Sequence, residues 1–439
     1  MNSAASNGQA LGYGGGIKRL GRVDLRQGRW HLSYQHSENQ YDFQQYENAY
    51  ANDWTRITQI SSYDDAKDYA RLSGRGANWS ANFYYNHQKR DYQTHRNLLA
   101  TPNKSADIGY NALSFGGDLQ YTWKPAWADF LFGLTLYRES YEQWSKLNGA
   151  VTADVGRNDY SLFARASKTL LDDWTLSLSL RESYNTGDGS DAFTPQIQLL
   201  KKFPRRLSAY ANAGRIFNLP TLKQLYDTTT SQVYTNNPDL APEKGWNYET
   251  GVKWEGENTL LGLALFHMDL DHITYKQVGS PSISKPFTVP FKNTGIELTA
   301  TQRLGQNFKI EAGASYSTPK DRTLDNSNNL SAWRPLYGKI QANLRVRYET
   351  AACFASFNIS YLGKRPYYEA VRSARPDLIP TTLKVGANLG KHRNVQAALV
   401  LDNVFNRRDI TSHGDVTSAP RNDYFCLPRN LKATVSVSF

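Results

Sequence analysis

The last nine residues, Leu431-Lys432-Ala433-Thr434-Val435-Ser436-Val437-Ser438-Phe439, alternate without a break. Successive side chains of an extended segment point to opposite sides. Leu431, Ala433, Val435, Val437 and Phe439 therefore make an oily wall, and Lys432, Thr434, Ser436 and Ser438 a wet one. The alternation recurs along the chain. Trp30, Leu32 and Tyr34 share a face, as do Trp79, Ala81, Phe83 and Tyr85. Leu176, Leu178 and Leu180 alternate with Ser177, Ser179 and Arg181, and Phe308, Ile310, Ala312 and Ala314 with Lys309, Glu311, Gly313 and Ser315. Charges on every second face do not belong in the dry core of a sandwich. They are cheap in a sheet closed into a tube, with lipid outside and water within.

The connections support that tube. Short ones recur at Lys124-Pro125-Ala126, Asp172-Asp173, Phe203-Pro204-Arg205-Arg206, Gly256-Glu257-Asn258, Gly305-Gln306-Asn307, Glu349-Thr350 and Lys391-His392-Arg393. Long ones are expected at about 42–64, 92–107, 140–157, 184–191, 217–246, 270–290, 319–333, 363–380 and 407–421. Tight turns at one rim and long loops at the other is the layout of an outer-membrane barrel. Trp123, Trp127 and Trp174 flank short turns, where an interfacial girdle would lie. The expected fold is all-β: one large antiparallel transmembrane β-barrel domain over residues 1–439, with about 19 strands.

Composition agrees. A mean hydropathy of −0.62 coexists with 13% aromatics, among them 28 Tyr and 10 Trp. A barrel wall needs apolar residues only at alternate positions over a short height, and Tyr and Trp collect at membrane interfaces. No apolar run is long enough for a transmembrane helix. The net charge of +11 comes from scattered basic residues, which argues against nucleic acid and suits a wet lumen. Cys353 and Cys426 fall near opposite ends of the strand map, so two free thiols are expected.

Parity adds an expectation. If Phe439 ends at the turn-bearing rim, counting back through 19 strands makes the first strand run the same way as the last. Bacterial barrels normally hold an even number with both termini inside. At least one further upward strand, or three, is therefore expected upstream. No signal peptide opens at Met1-Asn2-Ser3, so an exported precursor is expected to start elsewhere.

The stretch Arg215-Ile216-Phe217-Asn218-Leu219-Pro220-Thr221-Leu222-Lys223-Gln224-Leu225-Tyr226, then Asn236-Asn237-Pro238-Asp239-Leu240-Ala241-Pro242-Glu243-Lys244, resembles the barrel of TonB-dependent outer-membrane receptors. The likeness continues at Asn293-Thr294-Gly295-Ile296-Glu297, at Asp402-Asn403-Val404-Phe405-Asn406, at Pro428-Arg429-Asn430 and at the aromatic terminus. It implies a barrel of 22 strands around an N-terminal plug that contacts TonB and shares the ligand site. It also implies import of a scarce metal chelate, a ferric siderophore or cobalamin. Nothing in these residues resembles the plug, so contact with TonB would pass through a plug domain not present in this chain. The alternatives are a passive outer-membrane pore or structural barrel, and a soluble β-rich binding protein. Outer-membrane lipid is an expected partner.

Tyr226, Tyr234, Trp144 and Tyr184 lie in or beside expected loops, where aromatics can stack on a flat organic ligand. Arg215 and Arg181, near strand tops, can attract an anionic chelate. The same residues also serve as girdle, loop packing or a lumenal salt network. The region 217–246 holds no His, which disfavours haem, and His267 and His272 read as wall or loop residues. Residues 185–191 are rich in oxygen ligands but lack the spacing and closing Glu of a calcium loop. The glycines at 12 and 14–16 precede a strand rather than a helix, so they cradle no phosphate. No catalytic motif is present, so the chain is not expected to be an enzyme, and no cofactor is expected.

Overall fold

The computed structural model describes residues 2–3, 11–48, 53–96, 103–171, 173–187, 190–227, 236–278, 283–324, 329–366, 374–390, 394–413, 423–426 and 428–437. Nineteen long strands follow one another in a single antiparallel sheet. They are β1 (Leu11–Gln27), β2 (Trp30–Asn48), β3 (Asp53–Arg75), β4 (Trp79–Arg96) and β5 (Asn103–Trp123). Then come β6 (Asp129–Ser145), β7 (Val151–Leu170), β8 (Trp174–Asn185), β9 (Gln196–Phe203) and β10 (Leu207–Asn218). Next are β11 (Glu243–Glu255), β12 (Thr259–Val278), β13 (Ile283–Leu304), β14 (Phe308–Ser317) and β15 (Ile340–Glu349). The last four are β16 (Cys353–Gly363), β17 (Thr381–Leu389), β18 (Val395–Asp402) and β19 (Asn430–Val437). Four short segments, Asn2–Ser3, Asp191–Phe193, Lys320–Asp321 and Arg334–Pro335, bring the sheet to 23 pieces.

Register lines up one face of the whole wall. The row Leu72–Phe83–Gly117–Leu136–Tyr160–Tyr184 runs across β3 to β8 through directly paired residues. Leu263–Leu298–Ala314–Ala342–Tyr361 continues the pattern across β12 to β16. These side chains lie open: Leu162 is 64% exposed and Leu298 55%. An apolar face this extensive cannot stay in water and is covered by lipid. On β11 it is bounded by Trp246 and Tyr248 at one end and Trp254 beside the Gly256 turn, with Val252 between, an aromatic belt at each interface. Trp30–Trp79, Trp123–Phe130 and Phe308–Tyr348 extend the belt at the short-turn rim, with ring centroids 5.9, 5.2 and 4.7 Å apart.

Hairpin pairing puts the turns between β3 and β4, β5 and β6, β9 and β10, β11 and β12, β13 and β14, and β15 and β16 at that rim. Gly305 takes φ +62° there, left-handed geometry that favours glycine. The far ends differ from expectation. Residues expected as loops at 42–64, 92–107 and 270–290 are largely strand: β2 continues to Asn48, β3 begins at Asp53, and β12 and β13 pair out to Val278 and Ile283. Alternation of apolar residues fades in these extensions because no lipid faces them. Their backbone hydrogen bonds persist.

No pairing joins β1 to β19 among the described residues, and both are exposed along their length, β1 from Gly16 and β19 from Leu431. With 19 antiparallel strands these two edges run in the same direction. Only an odd number of further strands closes the sheet with every neighbour antiparallel, and an open edge in lipid leaves each unpaired backbone group costing several kcal/mol. Cys353 and Cys426 are both free thiols.

Candidate functional site

The inner face is built from the alternate rows. Tyr41, Tyr63 and Tyr92 are direct neighbours on β2, β3 and β4. Their rings form a ladder, with centroids 4.8 Å apart for Tyr41–Tyr63 and 4.7 Å for Tyr63–Tyr92. In the next row Arg90 of β4 lies between Asp65 and Tyr110. Its Nη2 donates to Asp65 Oδ2 at 2.6 Å, and its Nε donates to Oδ1. Asp65 is only 4% exposed. The same guanidinium lies 5.5 Å from the Tyr63 ring centroid and 5.8 Å from that of Tyr110, within cation–π reach of both. Each partner thus fixes the other: the carboxylate is too buried to stand alone, and the guanidinium fork that pairs with it also contacts two rings.

One loop reaches into this wall. Between β10 and β11 the chain forms one short helix, α1 (Leu222–Tyr226). Thr221 Oγ1 accepts from the Gln224 amide at 3.2 Å and Gln224 Oε1 accepts from the Thr221 amide at 2.9 Å, a closed capping box. Leu222 is buried against Tyr141 of β6, with Tyr110, Ala112, Val155 and Tyr226 around it. Lys223 Nζ lies 5.3 Å from the Tyr110 ring centroid. The far half of the loop is tied to β12 and β13: Asn237 Nδ2 donates to the Pro286 carbonyl at 2.9 Å and Thr288 Oγ1 to that of Ala241 at 2.6 Å. The Ile273 amide donates to Glu243 Oε1 at 2.7 Å. The two described parts of the loop are each pinned to the lumenal wall and form a strap, with Pro220, Leu222 and Leu240 buried in it.

Under the strap lies a cavity of about 470 Å³ lined by Lys67, Gln88, Tyr110, Tyr137, Tyr141 and Lys223, among others. That volume suits one small organic molecule, and its walls combine aromatic faces with a few polar groups. Deeper on the same wall, the Glu139–Arg157 pair is internally satisfied. Among the described residues, no grouping of three or more His, Cys, Asp or Glu fits a metal ion.

The residues expected from sequence distribute unevenly. Tyr226 sits on α1 beside Leu222. Arg181 faces the lumen, its Nη2 donating to Ser161 Oγ at 2.9 Å. Trp144 shares the outward face of Leu134 and Leu136 and covers Gly109, where a Cβ would collide with its ring. Tyr184 shares the outward face of Leu178 and Leu180. Arg215 pairs with Trp246 on the outward side and donates to the Phe193 carbonyl at 3.0 Å. Tyr234 lies outside the described residues. Sequence reasoning missed Tyr41, Tyr63, Arg90, Tyr92, Tyr110 and Tyr141, which come together only through register. His267 also points outward, hydrogen-bonded to Thr294 at 2.7 Å, and His272 lies 3.5 Å from the fully buried Asp321.

The chain matches the family described as TonB dependent receptor-like, beta-barrel, over residues 2–404. In fold it is similar to the siderophore receptor PirA from Acinetobacter baumannii, at 13% identity and TM-score 0.67, covering 100% of this chain and 72% of that one. It is similar to the ferric enterobactin receptor PfeA from Pseudomonas aeruginosa, at 14% and 0.69, covering 100% and 71%. It is also similar to the structure of the FpvAI–pyocin S2 complex, at 16% and 0.65, covering 97% of this chain but only 66% of that one.

Proposed function

The chain belongs to the TonB-dependent receptor family through its β-barrel, and from that membership we propose that it walls an outer-membrane importer for a metal carried in an organic chelate, a ferric siderophore being the favoured cargo. Siderophore receptors among the similar folds support the cargo class. The observation that carries the reading is the lumenal cavity between α1 and the Tyr110–Tyr141 wall. Aromatic planes flank it, cations lie over ring faces, and its only nearby buried carboxylates are already paired. Such a surface accepts a flat, electron-rich anion by stacking and cation contact. Among the described residues, no ligand set for a bare metal ion is found.

In this reading the chain supplies the vestibule, the strap and the outer wall of the path. Energy coupling through TonB belongs to a plug element seated in the lumen. Cobalamin is the second cargo the resemblance implies, but no feature of the cavity favours it.

The test is direct binding. The detergent-solubilised chain is titrated with ferric enterobactin, a ferric hydroxamate and cyanocobalamin, following intrinsic fluorescence. Quenching by a ferric chelate, weakened about tenfold or more by Tyr110→Ala, supports the proposal. Quenching by cyanocobalamin alone, or chelate binding unaffected by Tyr110→Ala, overturns it.

A further inference from the structure

The turn between β9 and β10 carries backbone strain that its neighbours avoid. Phe203 pairs with Leu207, so Pro204, Arg205 and Arg206 alone make the connection. Arg205 and Arg206 both take positive φ, +61° and +60°. Left-handed backbone crowds any Cβ, and glycine or asparagine fills such positions with least strain. In the turns after β1 and β13 the positive φ falls on glycine, Gly28 at +58° and Gly305 at +62°. Nowhere else among the described residues do two successive non-glycine residues adopt it. The bend itself does not call for arginine, so what these two positions add is a pair of exposed guanidinia.

The setting of the turn says what those groups meet. Phe203, Leu207 and Trp254 lie open on the outward face beside it, and Leu207 and Trp254 are direct partners. Trp254 Nε1 donates to the Arg205 carbonyl at 3.1 Å, fastening the turn to this aromatic belt. A strand rises about 3.3 Å per residue, so both arginines start within about 7 Å of the apolar boundary. Their side chains are long enough to reach the phosphate plane of the leaflet on the short-turn side, which is the periplasmic one.

The local charge is uneven. Lys201 and Lys168 face outward on β9 and β7, opposite Trp174 and Leu176 of β8. Lys201 Nζ lies 5.1 Å from the Trp174 ring centroid and 5.6 Å from that of Phe203. Asp173 pairs with Lys201, and Glu257 of the next turn lies 4.0 Å from Arg206. The second pair is largely exposed, at 59% and 83% for the two side chains, so it holds the guanidinium weakly. Arg205 and Lys168 have no ion pair among the described residues. The uncompensated positive charge thus sits outside the barrel wall, at a membrane surface. A zwitterionic phospholipid brings its own ammonium to its phosphate, and an anionic one does not.

We propose that the Pro204–Arg206 turn is a headgroup site for an anionic phospholipid of the periplasmic leaflet. Arg205 and Arg206 hold its phosphate, and Phe203, Leu207 and Trp254 meet the start of its acyl chains. Lys201 and Lys168 form a flank that favours negative headgroups over zwitterionic ones. The site is independent of the cargo and of the lumen.

The test folds the full chain into phosphatidylcholine vesicles holding a minor share of phosphatidylglycerol with a photoreactive diazirine in its headgroup. Adducts are mapped by digestion and mass spectrometry. Residues 201–207 should carry about fivefold more adduct than with equally loaded photoreactive phosphatidylcholine. That excess should vanish in R205N/R206G, whose residues suit left-handed backbone and should fold at least as well, as circular dichroism checks. It should remain in R205K/R206K, and in R303Q/R347Q, which neutralises lumenal cations at the same rim. Equal labelling by the two lipids, or an excess that survives R205N/R206G, overturns the proposal. Loss of the excess in inorganic phosphate at constant ionic strength also overturns it, since that is the behaviour of a free-anion site.

Discussion

Leu222, carried on α1 after β10, is buried against Tyr141 of β6, four strands away around the wall. That single contact turns a long connection into a strap over the lumen. It also divides the inner surface into a covered cavity and an open remainder.

Leu222→Ala should free the strap without unfolding the barrel. A buried Leu→Ala costs ~2–5 kcal/mol, and here the loss falls on local docking, because α1 adds no strand to the sheet. Limited proteolysis should cut within residues 219–242 much faster in the variant. The thermal transition of the sheet, followed by circular dichroism, should stay within a few degrees of the parent.

The Arg90–Asp65 pair predicts a non-additive pair of substitutions. Arg90→Met leaves a carboxylate that is 4% exposed without its partner, and breaking one side of a buried pair costs ~3–5 kcal/mol. Asp65→Leu alone strands the guanidinium between two rings. The double variant should recover most of the loss. Denaturant unfolding from lipid vesicles, analysed as a double-mutant cycle, measures the coupling.

Neighbouring positions on β6 should respond oppositely to one charge. Leu134→Arg puts a cation on the lipid face and should cost ~2–4 kcal/mol near the bilayer middle. Thr135→Arg points into the lumen, where Thr135 pairs with Asp118, and should cost less than about 1 kcal/mol. Folding yield into phosphatidylcholine vesicles separates the two.

The aromatic candidates divide by side. Trp144→Ala and Tyr184→Ala remove outward rings and should leave ferric-chelate binding unchanged. Tyr63→Ala and Tyr141→Ala remove lumenal ones and should weaken it. The fluorescence titration that tests the cargo reads both outcomes.

Much of the wall was legible in the order of residues. The strand number emerged because lipid enforces alternation: Leu176, Leu178 and Leu180, or Leu431, Ala433 and Val435, announce their face without any partner in view. Loop lengths were less legible. Above the membrane nothing forces one face to be apolar, so the extension of β2 to Asn48 resembles a polar loop. The outward placement of Trp144, Tyr184 and Arg215 was within reach, since each keeps the parity of apolar residues earlier on its own strand. The cavity was not. Tyr41, Tyr63 and Tyr92 are separated by 22 and 29 positions, and only register, set by turn geometry and strand stagger, brings them together.

The account turns on lipid meeting one face of these ribbons and water the other. Nitroxide labels placed one at a time from Asp129 to Ser145, in the chain folded into lipid vesicles, report that directly through collision with oxygen or with a polar nickel chelate. Phe132, Leu134 and Leu136 should favour oxygen and Gly133, Thr135 and Tyr137 the nickel chelate, with a strict period of two. Labels that show no alternation, or a chain that folds as a monomer in plain buffer with Leu134 and Leu136 shielded from both reagents, would contradict it.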